Sequence, residues 1–282
     1  NKRDEYNRAA IFHILPAFGQ RQIDRIKKRD VIQWRDGLSV GKNRKRTLDV
    51  IIRGCFNHAV DMEALSPELC PKIQSEKVDL NPRDAFTYSE METIVDFLRE
   101  WRGTGRKQET QDTRTLLYYV VQTLNATGMR PGKEVESLTW NDCKTDTNAH
   151  PKDRYLKFEI RPETTKVRRF RELVAEDWLD AELNELQTIQ MRDWKIICNQ
   201  GYIFKGRGEY RPSTYARAFE QALREIGLLY THNRRKRTLY SIRHHFITRK
   251  LYEGRSVHLV ALQCGNSTAI IEKVYSKVKT GQ

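Results

Sequence analysis

A polar stretch without apolar periodicity divides this chain of 282 residues into two blocks with helical patterns. The stretch, KIQSEKVDLNPRD at residues 72–84, contains an Asn-Pro dipeptide, which favours a turn. The chain is long for one domain and long enough for two, each with its own core. We therefore predict domains at residues 1–75 and 85–282, joined by a linker at residues 76–84.

The first block predicts a small bundle of helices. Apolar residues recur every three or four positions from Leu48 to Ala59, which is the stripe of an amphipathic helix. We expect Asp30 to be the N-cap of the preceding helix, which carries Val31, Trp34 and Leu38. Pro16 is expected to end the first helix of the chain. Since apolar stripes of this kind pack on one another, the block is expected to be all-helical.

The second block predicts helices with a small sheet. YLKFEI (155–160) alternates apolar and polar residues, and TTKVRRFREL (164–173) follows it, so the two predict a hairpin, while GYIF (201–204) predicts a further short strand. Ser89 and Glu92 match a capping box, and Pro212 is expected in the first turn of a later helix. The predicted fold is mainly α with a small antiparallel sheet, of the α+β class.

Net charge is the strongest compositional signal. There are 51 Lys and Arg residues against 37 Asp and Glu residues, which gives a formal charge of +14. Such a balance favours a polyanionic partner, with nucleic acid first, an anionic membrane surface second, and a merely soluble basic protein as the alternative. No apolar run approaches the roughly 20 residues of a membrane span, and the helical stripes are better used as core than as a membrane-facing surface.

Cofactor motifs are missing from the sequence. It has no G-x-x-x-x-G-K-[ST] and no G-x-G-x-x-G, so neither ATP nor a dinucleotide is expected. Five scattered cysteines lack a C-x-x-C pair, which favours reduced thiols in a cytosol. His244 and His245 are adjacent and would point in different directions on a helix, so no metal site is expected either. The opening NKRDEYNRAA has no start Met and no apolar signal region, and is typical of a fragment of a longer chain.

Four residues could carry chemistry, although each also fits an ordinary structural role. Arg130 could cap a helix, Lys166 could be one more cation on the hairpin, Arg243 could form a salt bridge at the edge of the core, and Tyr275 could pack in the core. Their joint order along the chain, and the residues around them, make chemistry the better interpretation.

The matching segments are ATGMRPGKEVESLTW around Arg130, TTKVRR around Lys166, YSIRHHFITRKL around Arg243, and CGNSTAIIEKVY ending at Tyr275. Together they resemble the catalytic domain of tyrosine recombinases, the phage-type integrases, and residues 1–75 resemble the core-binding domain of that family. The resemblance covers essentially the whole chain. Nine positions separate Asn266 from Tyr275, which is the family's spacing between its last two catalytic positions.

The resemblance implies a role for each matched residue. Arg130 and Arg243 would neutralise the charge that develops on a DNA phosphate, because guanidinium groups are permanently charged and fork-shaped. Lys166 would protonate the leaving 5′-oxygen, and Tyr275 would form a 3′-phosphotyrosyl link. Glu134 matches an acidic position that would orient an arginine rather than touch DNA.

Two positions depart from the commonest family pattern. Tyr240 and Asn266 stand where histidine, or in the second case histidine or tryptophan, is usual. Either side chain can donate a hydrogen bond to a phosphate oxygen, but neither accepts a proton at neutral pH as imidazole does. We expect both to act at the site, without general-base catalysis.

The resemblance also implies partners and setting. It implies a clamp on double-stranded DNA, a homotetramer on recombination sites, accessory DNA-bending proteins, no membrane, and neither metal nor ATP, in the cytoplasm of a prokaryotic host that carries a mobile element. Charge density alone predicts DNA contacts by these residues: Lys42, Arg44, Lys45, Arg46, Arg168, Arg169, Arg207, Arg211, Arg234, Arg235 and Lys236. The alternatives are a nicking and resealing enzyme like type IB topoisomerases, and a DNA-binding protein that keeps the fold without catalysis.

Overall fold

A computed structural model describes residues 2–75, 84–145, 155–165, 168–198 and 201–275, with residues 274 and 275 described by their backbone only. The chain forms two compact units, Asn1–Asn81 and Pro82–Gln282. Apart from Asp84, the predicted linker lies outside the described residues.

Unit 1 is helical, as predicted. Its helices are α1 (Lys2–Ala9), α2 (Leu15–Phe18), α3 (Lys28–Gly37) and α4 (Lys42–Asp61), with a π-helical turn at Ala10–Ile14 and short 3₁₀ turns at Ile23–Arg25 and Pro67–Leu69. The predicted stripe of α4 buries Leu48, Ile52 and Phe56 in the core of the unit. Since these residues are four apart, they share one face of the helix.

Two predicted helix boundaries in unit 1 are wrong. Asp30 is not the cap: α3 begins at Lys28, and the Asp30 carboxylate accepts a hydrogen bond from the backbone N–H of Lys27 at 2.9 Å. This bond also lowers the pKa of Asp30. Pro16 does not end the first helical segment, which continues through α2 to Phe18. The π-helical turn directly before it widens the backbone where proline offers no N–H and crowds the preceding turn.

Unit 2 is built around one buried helix. Its helices are α5 (Tyr88–Trp101), α6 (Gln108–Thr127), α7 (Lys133–Glu136), α8 (Leu179–Thr188), α9 (Ala216–Glu225), α10 (Leu239–Tyr252), α11 (Val257–Cys264) and α12 (Thr268–Tyr275). Every residue of α6 from Thr115 to Leu124 is buried. Helices α5, α8, α9 and α10 all pack against α6, which explains why that helix is buried all round.

The predicted hairpin is confirmed. Strands β1 (Cys143–Thr145), β2 (Leu156–Ile160) and β3 (Arg171–Val174) form an antiparallel sheet in the order β1-β2-β3, and Ile160 pairs with Arg171 where β2 and β3 meet the hairpin segment. Alternation along β2 buries Leu156, Phe158 and Ile160. The mainly helical fold with a small antiparallel sheet is therefore confirmed.

GYIF does not form a strand. Tyr202 makes only an isolated bridge to Thr139, beside a hydrogen bond from the Ile203 N–H to the Leu138 carbonyl. The partner segment turns at once into a 3₁₀ helix at Trp140–Asp142, so no longer ladder can form.

Two helix starts in unit 2 also differ from prediction. The capping box of α5 uses Thr87 and Glu90, two residues before the predicted pair: the Glu90 N–H donates to the Thr87 hydroxyl at 3.2 Å, and the Thr87 N–H donates to the Glu90 carboxylate at 2.8 Å. Pro212 precedes the first turn of α9, which begins at Ala216. Among the described residues, no helix is long and apolar enough to cross a bilayer.

Candidate active site

The guanidinium group of Arg243 is fully buried inside unit 2. Arg243 lies on α10, and its side chain donates to the backbone carbonyls of Gly128 at 2.6 Å and Cys264 at 2.5 Å, and to the Asn266 Oδ1 atom at 3.0 Å. Both carbonyls belong to helix ends, since Gly128 follows α6 and Cys264 ends α11. Helix C-termini carry partial negative charge, which compensates part of the cost of burying a cation.

Arg130 reaches the same asparagine from the other side. The left-handed backbone of Gly128 ends α6 and turns the chain towards α7, and Arg130 lies in this turn. Its Nη2 atom donates to the Gly265 carbonyl and, at 3.3 Å, to the Asn266 Oδ1 atom. The structure thus brings together three of the residues singled out in the sequence, with two guanidinium groups sharing one amide oxygen.

Glu134 connects Arg130 to a third arginine. The buried carboxylate accepts a hydrogen bond from the Arg130 N–H at 3.0 Å, contacts the Arg130 Nη1 atom at 3.4 Å, and pairs with Arg171 on β3. Burial, followed by the nearby positive charges of Arg130 and Arg243, lowers the pKa of Arg171. Glu134 therefore contacts two arginines, and its role in orienting one of them at a DNA phosphate stays a prediction.

Arg171 is a site residue that sequence reasoning missed. Its signal was the alternation of β3: Arg171 is two residues before the buried Leu173, so both residues lie on one face of the strand. An arginine on the buried face of a strand requires an anionic partner. That pattern could have singled out Arg171 before the structure was known.

The cluster carries an excess of positive charge. Three guanidinium groups and one carboxylate give a formal charge of +2 for Arg130, Arg171, Arg243 and Glu134. Backbone carbonyls accept hydrogen bonds from Arg130 and Arg243, but a carbonyl carries only a partial charge and does not neutralise a guanidinium group. Such a site suits an anion with delocalised negative charge, such as a phosphate. No cluster of three metal-ligating residues occurs in the part of the chain that the structure describes.

Tyr240 and the two histidines of α10 lie in different environments. Tyr240 is half-buried, and its ring centre is 5.3 Å from that of His244. His245 is buried, and its Nδ1 atom is 2.7 Å from the Phe86 carbonyl oxygen. Burial lowers the pKa of His245. Tyr240 lies one helical turn before Arg243 on α10, whereas His245 is buried in the core.

Comparison with known proteins identifies the fold. No family model and no curated protein matches the sequence. Among solved structures, a lambda integrase dimer bound to a COC′ core site is similar over 96% of this chain and 70% of that one, with a TM-score of 0.70 and 15% identity. The Tn1549 transposon integrase with circular intermediate DNA is similar over 100% and 94%, with a TM-score of 0.67 and 14% identity. The chain has the tyrosine recombinase fold.

A third structure with this fold, the XerH site-specific recombinase in a pre-cleavage complex with its difH substrate, matches at a TM-score of 0.63 and 17% identity over 90% of this chain and 67% of that one. These three structures confirm, at the level of the fold, the resemblance that the four sequence segments indicated.

Of the two remaining predicted catalytic residues, one is described by its backbone only and the other is not described. Lys166 lies outside the described residues. Tyr275 ends α12, which begins at Thr268, two residues after Asn266. Near Lys166 in sequence, Thr164, Thr165 and Arg168 line an open cleft of about 400 Å³, together with residues that include Arg130 and Glu134.

The DNA contacts predicted in unit 1 lie at the start of α4. Lys42 and Arg46 are exposed. Arg44 is 3.6 Å from a carboxylate oxygen of Glu5, and the Lys45 ammonium group donates to the Asp36 carbonyl at 3.2 Å. All four side chains reach solvent at least in part, and their contact with DNA stays a prediction.

The DNA contacts predicted in unit 2 differ in how firmly they are held. Arg168, Arg169 and Arg234 are exposed. Arg207 forms a close ion pair with the fully buried Asp112, at 2.6 Å. Two further contacts are Arg235 with Asp84 at 3.3 Å and Lys236 with Glu220 at 2.7 Å, while Arg211 stacks 3.4 Å above the ring centre of Tyr202 and donates to the Glu136 carbonyl. Arg207 therefore has a structural role whether or not it contacts DNA.

Proposed function

We propose that the protein is a site-specific DNA recombinase of the tyrosine class, which cleaves and rejoins DNA strands through a 3′-phosphotyrosyl intermediate. One observation carries the proposal: within a tyrosine recombinase fold, Arg130 and Arg243 converge on the Oδ1 atom of Asn266, just before the helix that ends at Tyr275. The lambda integrase and XerH structures that share this fold are complexes with DNA.

The two arginines suit the charge that the reaction creates. Attack on a phosphodiester gathers negative charge on the non-bridging oxygens as the fifth bond to phosphorus forms. Arg130 and Arg243 are already held by backbone carbonyls and by Asn266, so they need little reorganisation when that charge appears. In this scheme the arginines supply the positive charge that a metal ion provides in other phosphoryl-transfer enzymes.

The covalent step exchanges one phosphate ester for another. The phenolic oxygen of Tyr275 attacks phosphorus and its proton passes to water, while the bond from phosphorus to the 5′-oxygen breaks. Lys166 gives a proton to that oxygen, which leaves as a free 5′-hydroxyl. The phosphotyrosine is itself a phosphodiester, so attack by the 5′-hydroxyl of another strand rejoins DNA without ATP.

Tyr240 and Asn266 would assist by binding the phosphate. The Asn266 amide shares its oxygen with both arginines, which leaves its NH₂ group as the donor to a phosphate oxygen. The Tyr240 hydroxyl would donate from the preceding turn of α10. Neither group takes a proton at neutral pH, so we assign them positioning of the phosphate rather than base catalysis.

The wider assignment follows the same family. We propose that a homotetramer acts on two recombination sites of double-stranded DNA, with accessory DNA-bending proteins, in the cytoplasm of a prokaryotic host, and that it integrates or excises a mobile element. The formal charge of +14 supports a DNA partner. One of the structurally similar proteins is itself the integrase of a transposon.

The test is to trap the covalent intermediate on DNA. A library of nicked duplexes with a randomised centre is incubated with the protein, stopped with denaturant, and separated by denaturing electrophoresis. Adducts are expected with the natural chain, and Tyr275→Phe should lose them while still binding duplex DNA. Sequencing the trapped duplexes yields a defined substrate. If the natural chain forms no adduct, or if Tyr275→Phe still forms one, the proposed chemistry is wrong.

A second set of measurements examines the acid and the outcome of the reaction. A substrate with sulfur at the 5′-bridging position needs no proton on its leaving group, so it should restore cleavage by Lys166→Ala. Plasmids that carry two copies of the trapped sequence should exchange strands between sites. Relaxation of supercoils without exchange would instead favour an enzyme of the topoisomerase type.

A further inference from the structure

The segment that joins β2 to β3 carries Lys166, and both of its ends are attached to the region of α7. We propose that Arg171 is a positioning residue, which anchors one end of this segment through Glu134 so that the segment presents its lysine to the reacting phosphate. This inference rests on the proposed recombinase chemistry, and it adds a residue that the sequence motifs did not include.

The anchor at the β3 end is an ion pair between buried groups. Arg171 pairs with Glu134, and both side chains are largely shielded from solvent, at 14% and 2% exposed. The guanidinium group also lies against the backbone of Gly265, since a Cβ atom built on that glycine would be 2.7 Å from the Arg171 Nη1 atom. Arg171 therefore occupies a confined place between Glu134 and the turn after α11.

The anchor at the β2 end uses hydrogen bonds to backbone. The Lys133 ammonium group donates to the Glu163 carbonyl at 2.8 Å, and the Arg161 guanidinium group donates to the Ser137 carbonyl at 2.6 Å. Glu163 precedes Lys166 by three residues, and Arg171 follows it by five. The segment is thus attached to residues 133–137 on both sides of the lysine.

The shared carboxylate gives the anchor its significance. Glu134 contacts Arg130 as well as Arg171, so one buried group fixes both the phosphate-binding arginine and the end of the segment with the proton donor. Removing Arg171 would leave Glu134 bound to Arg130, because the Arg130 N–H and Nη1 contacts do not depend on β3. We therefore expect loss of Arg171 to impair leaving-group protonation more than phosphate binding.

Arg171→Met and Arg171→Lys separate charge from shape. Methionine removes the charge and keeps much of the volume, while lysine keeps the charge but cannot reproduce the planar fork. Arg192→Met is the matched control, because Arg192 is 72% exposed and pairs with the adjacent Asp193. It changes the net charge by the same amount, and its cleavage rate should equal that of the natural chain.

The experiment uses the duplex obtained by covalent trapping, synthesised with three scissile groups: a normal phosphodiester, a 5′-bridging phosphorothiolate, and a methylphosphonate. Single-turnover adduct formation is measured for each variant. Arg171→Met should slow cleavage of the phosphodiester by about 10- to 100-fold, with Arg171→Lys between it and the natural chain. The phosphorothiolate should restore most of the rate, because sulfur leaves without a proton.

Three results would overturn the inference. Rescue of the cleavage rate by the methylphosphonate instead would make Arg171 a direct partner of the phosphate. The other two results are an equal loss of rate on all three substrates and no loss of rate on any of them. Urea denaturation of Arg171→Met establishes that the variant is folded under the assay conditions. Tyr275-dependent adducts with the natural chain test the recombinase proposal separately, so failure of that proposal is distinct from failure of the role given to Arg171.

Discussion

Substituting Gly128 with alanine probes the junction between the fold and the candidate site. Gly128 ends α6 with a φ of 65°, and its carbonyl accepts a hydrogen bond from Arg243. A Cβ atom at this position would overlap the ring of Phe246, whose Cε1 atom would be 2.7 Å away. Gly128→Ala therefore combines backbone strain with a clash in the core.

The two effects can be given magnitudes. Left-handed backbone costs a residue other than glycine about 1–2 kcal/mol. Inserting a methyl group into a packed core adds about 1–3 kcal/mol. We expect Gly128→Ala to lower the free energy of unfolding of unit 2 by about 2–5 kcal/mol, and to slow DNA cleavage because the carbonyl that holds Arg243 is displaced.

Gly227→Ala provides the control for this measurement. Gly227 has a similar φ of 72°, but a Cβ atom there would meet nothing within 4 Å. Urea denaturation followed by tryptophan fluorescence should show that Gly227→Ala lowers the free energy of unfolding by about 1–2 kcal/mol. The further decrease in Gly128→Ala should be smaller when Gly128→Ala is made in a Phe246→Leu background. Equal losses for the two glycine variants would refute the overlap with Phe246.

Three further predictions address charge. Arg207→Met should destabilise unit 2 by about 2–3 kcal/mol in urea denaturation, because it removes a partner of the buried Asp112; adding Asp112→Asn should recover part of the loss, and an unchanged midpoint would contradict the ion pair. Since burial lowers the pKa of His245 from its ordinary 6.5, the unfolded chain gains a proton first as pH falls, so stability should decrease below about pH 6.5; His245→Gln should weaken that dependence, and an identical pH profile would contradict it. Lys42→Ala combined with Arg46→Ala should reduce the slope of log affinity for duplex DNA against log salt by about 2, and an unchanged slope would remove both from the interface.

Local patterns predicted the helices better than their exact ends. The stripe of α4 was predicted because periodicity is a property of neighbouring residues. The start of α5 was misplaced by two residues, since both T-x-x-E at Thr87 and S-x-x-E at Ser89 match a capping box. The hydrogen bonds of Thr87 with Glu90 decide between them, and the sequence pattern alone does not.

Partners distant in sequence account for what was missed at the site. Arg171 and Glu134 are 37 residues apart, and Arg207 and Asp112 are 95 residues apart. No local pattern specifies such a pairing: the alternation of β3 indicates Arg171 but not its partner, and Arg207 was selected by charge density alone. Arg130, Arg243 and Asn266 were found together because the family resemblance already contained their long-range relation.

The hold on Arg243 by backbone carbonyls has a consequence for sequence divergence. Every residue type has a carbonyl, so the oxygen that Cys264 offers does not depend on its thiol. Replacing Cys264 with another small apolar residue should leave the arginine in place, provided that α11 still ends before a residue that tolerates left-handed backbone, as Gly265 does. Chains with this architecture can therefore drift far apart in amino-acid identity around their most buried cation while its surroundings stay chemically the same.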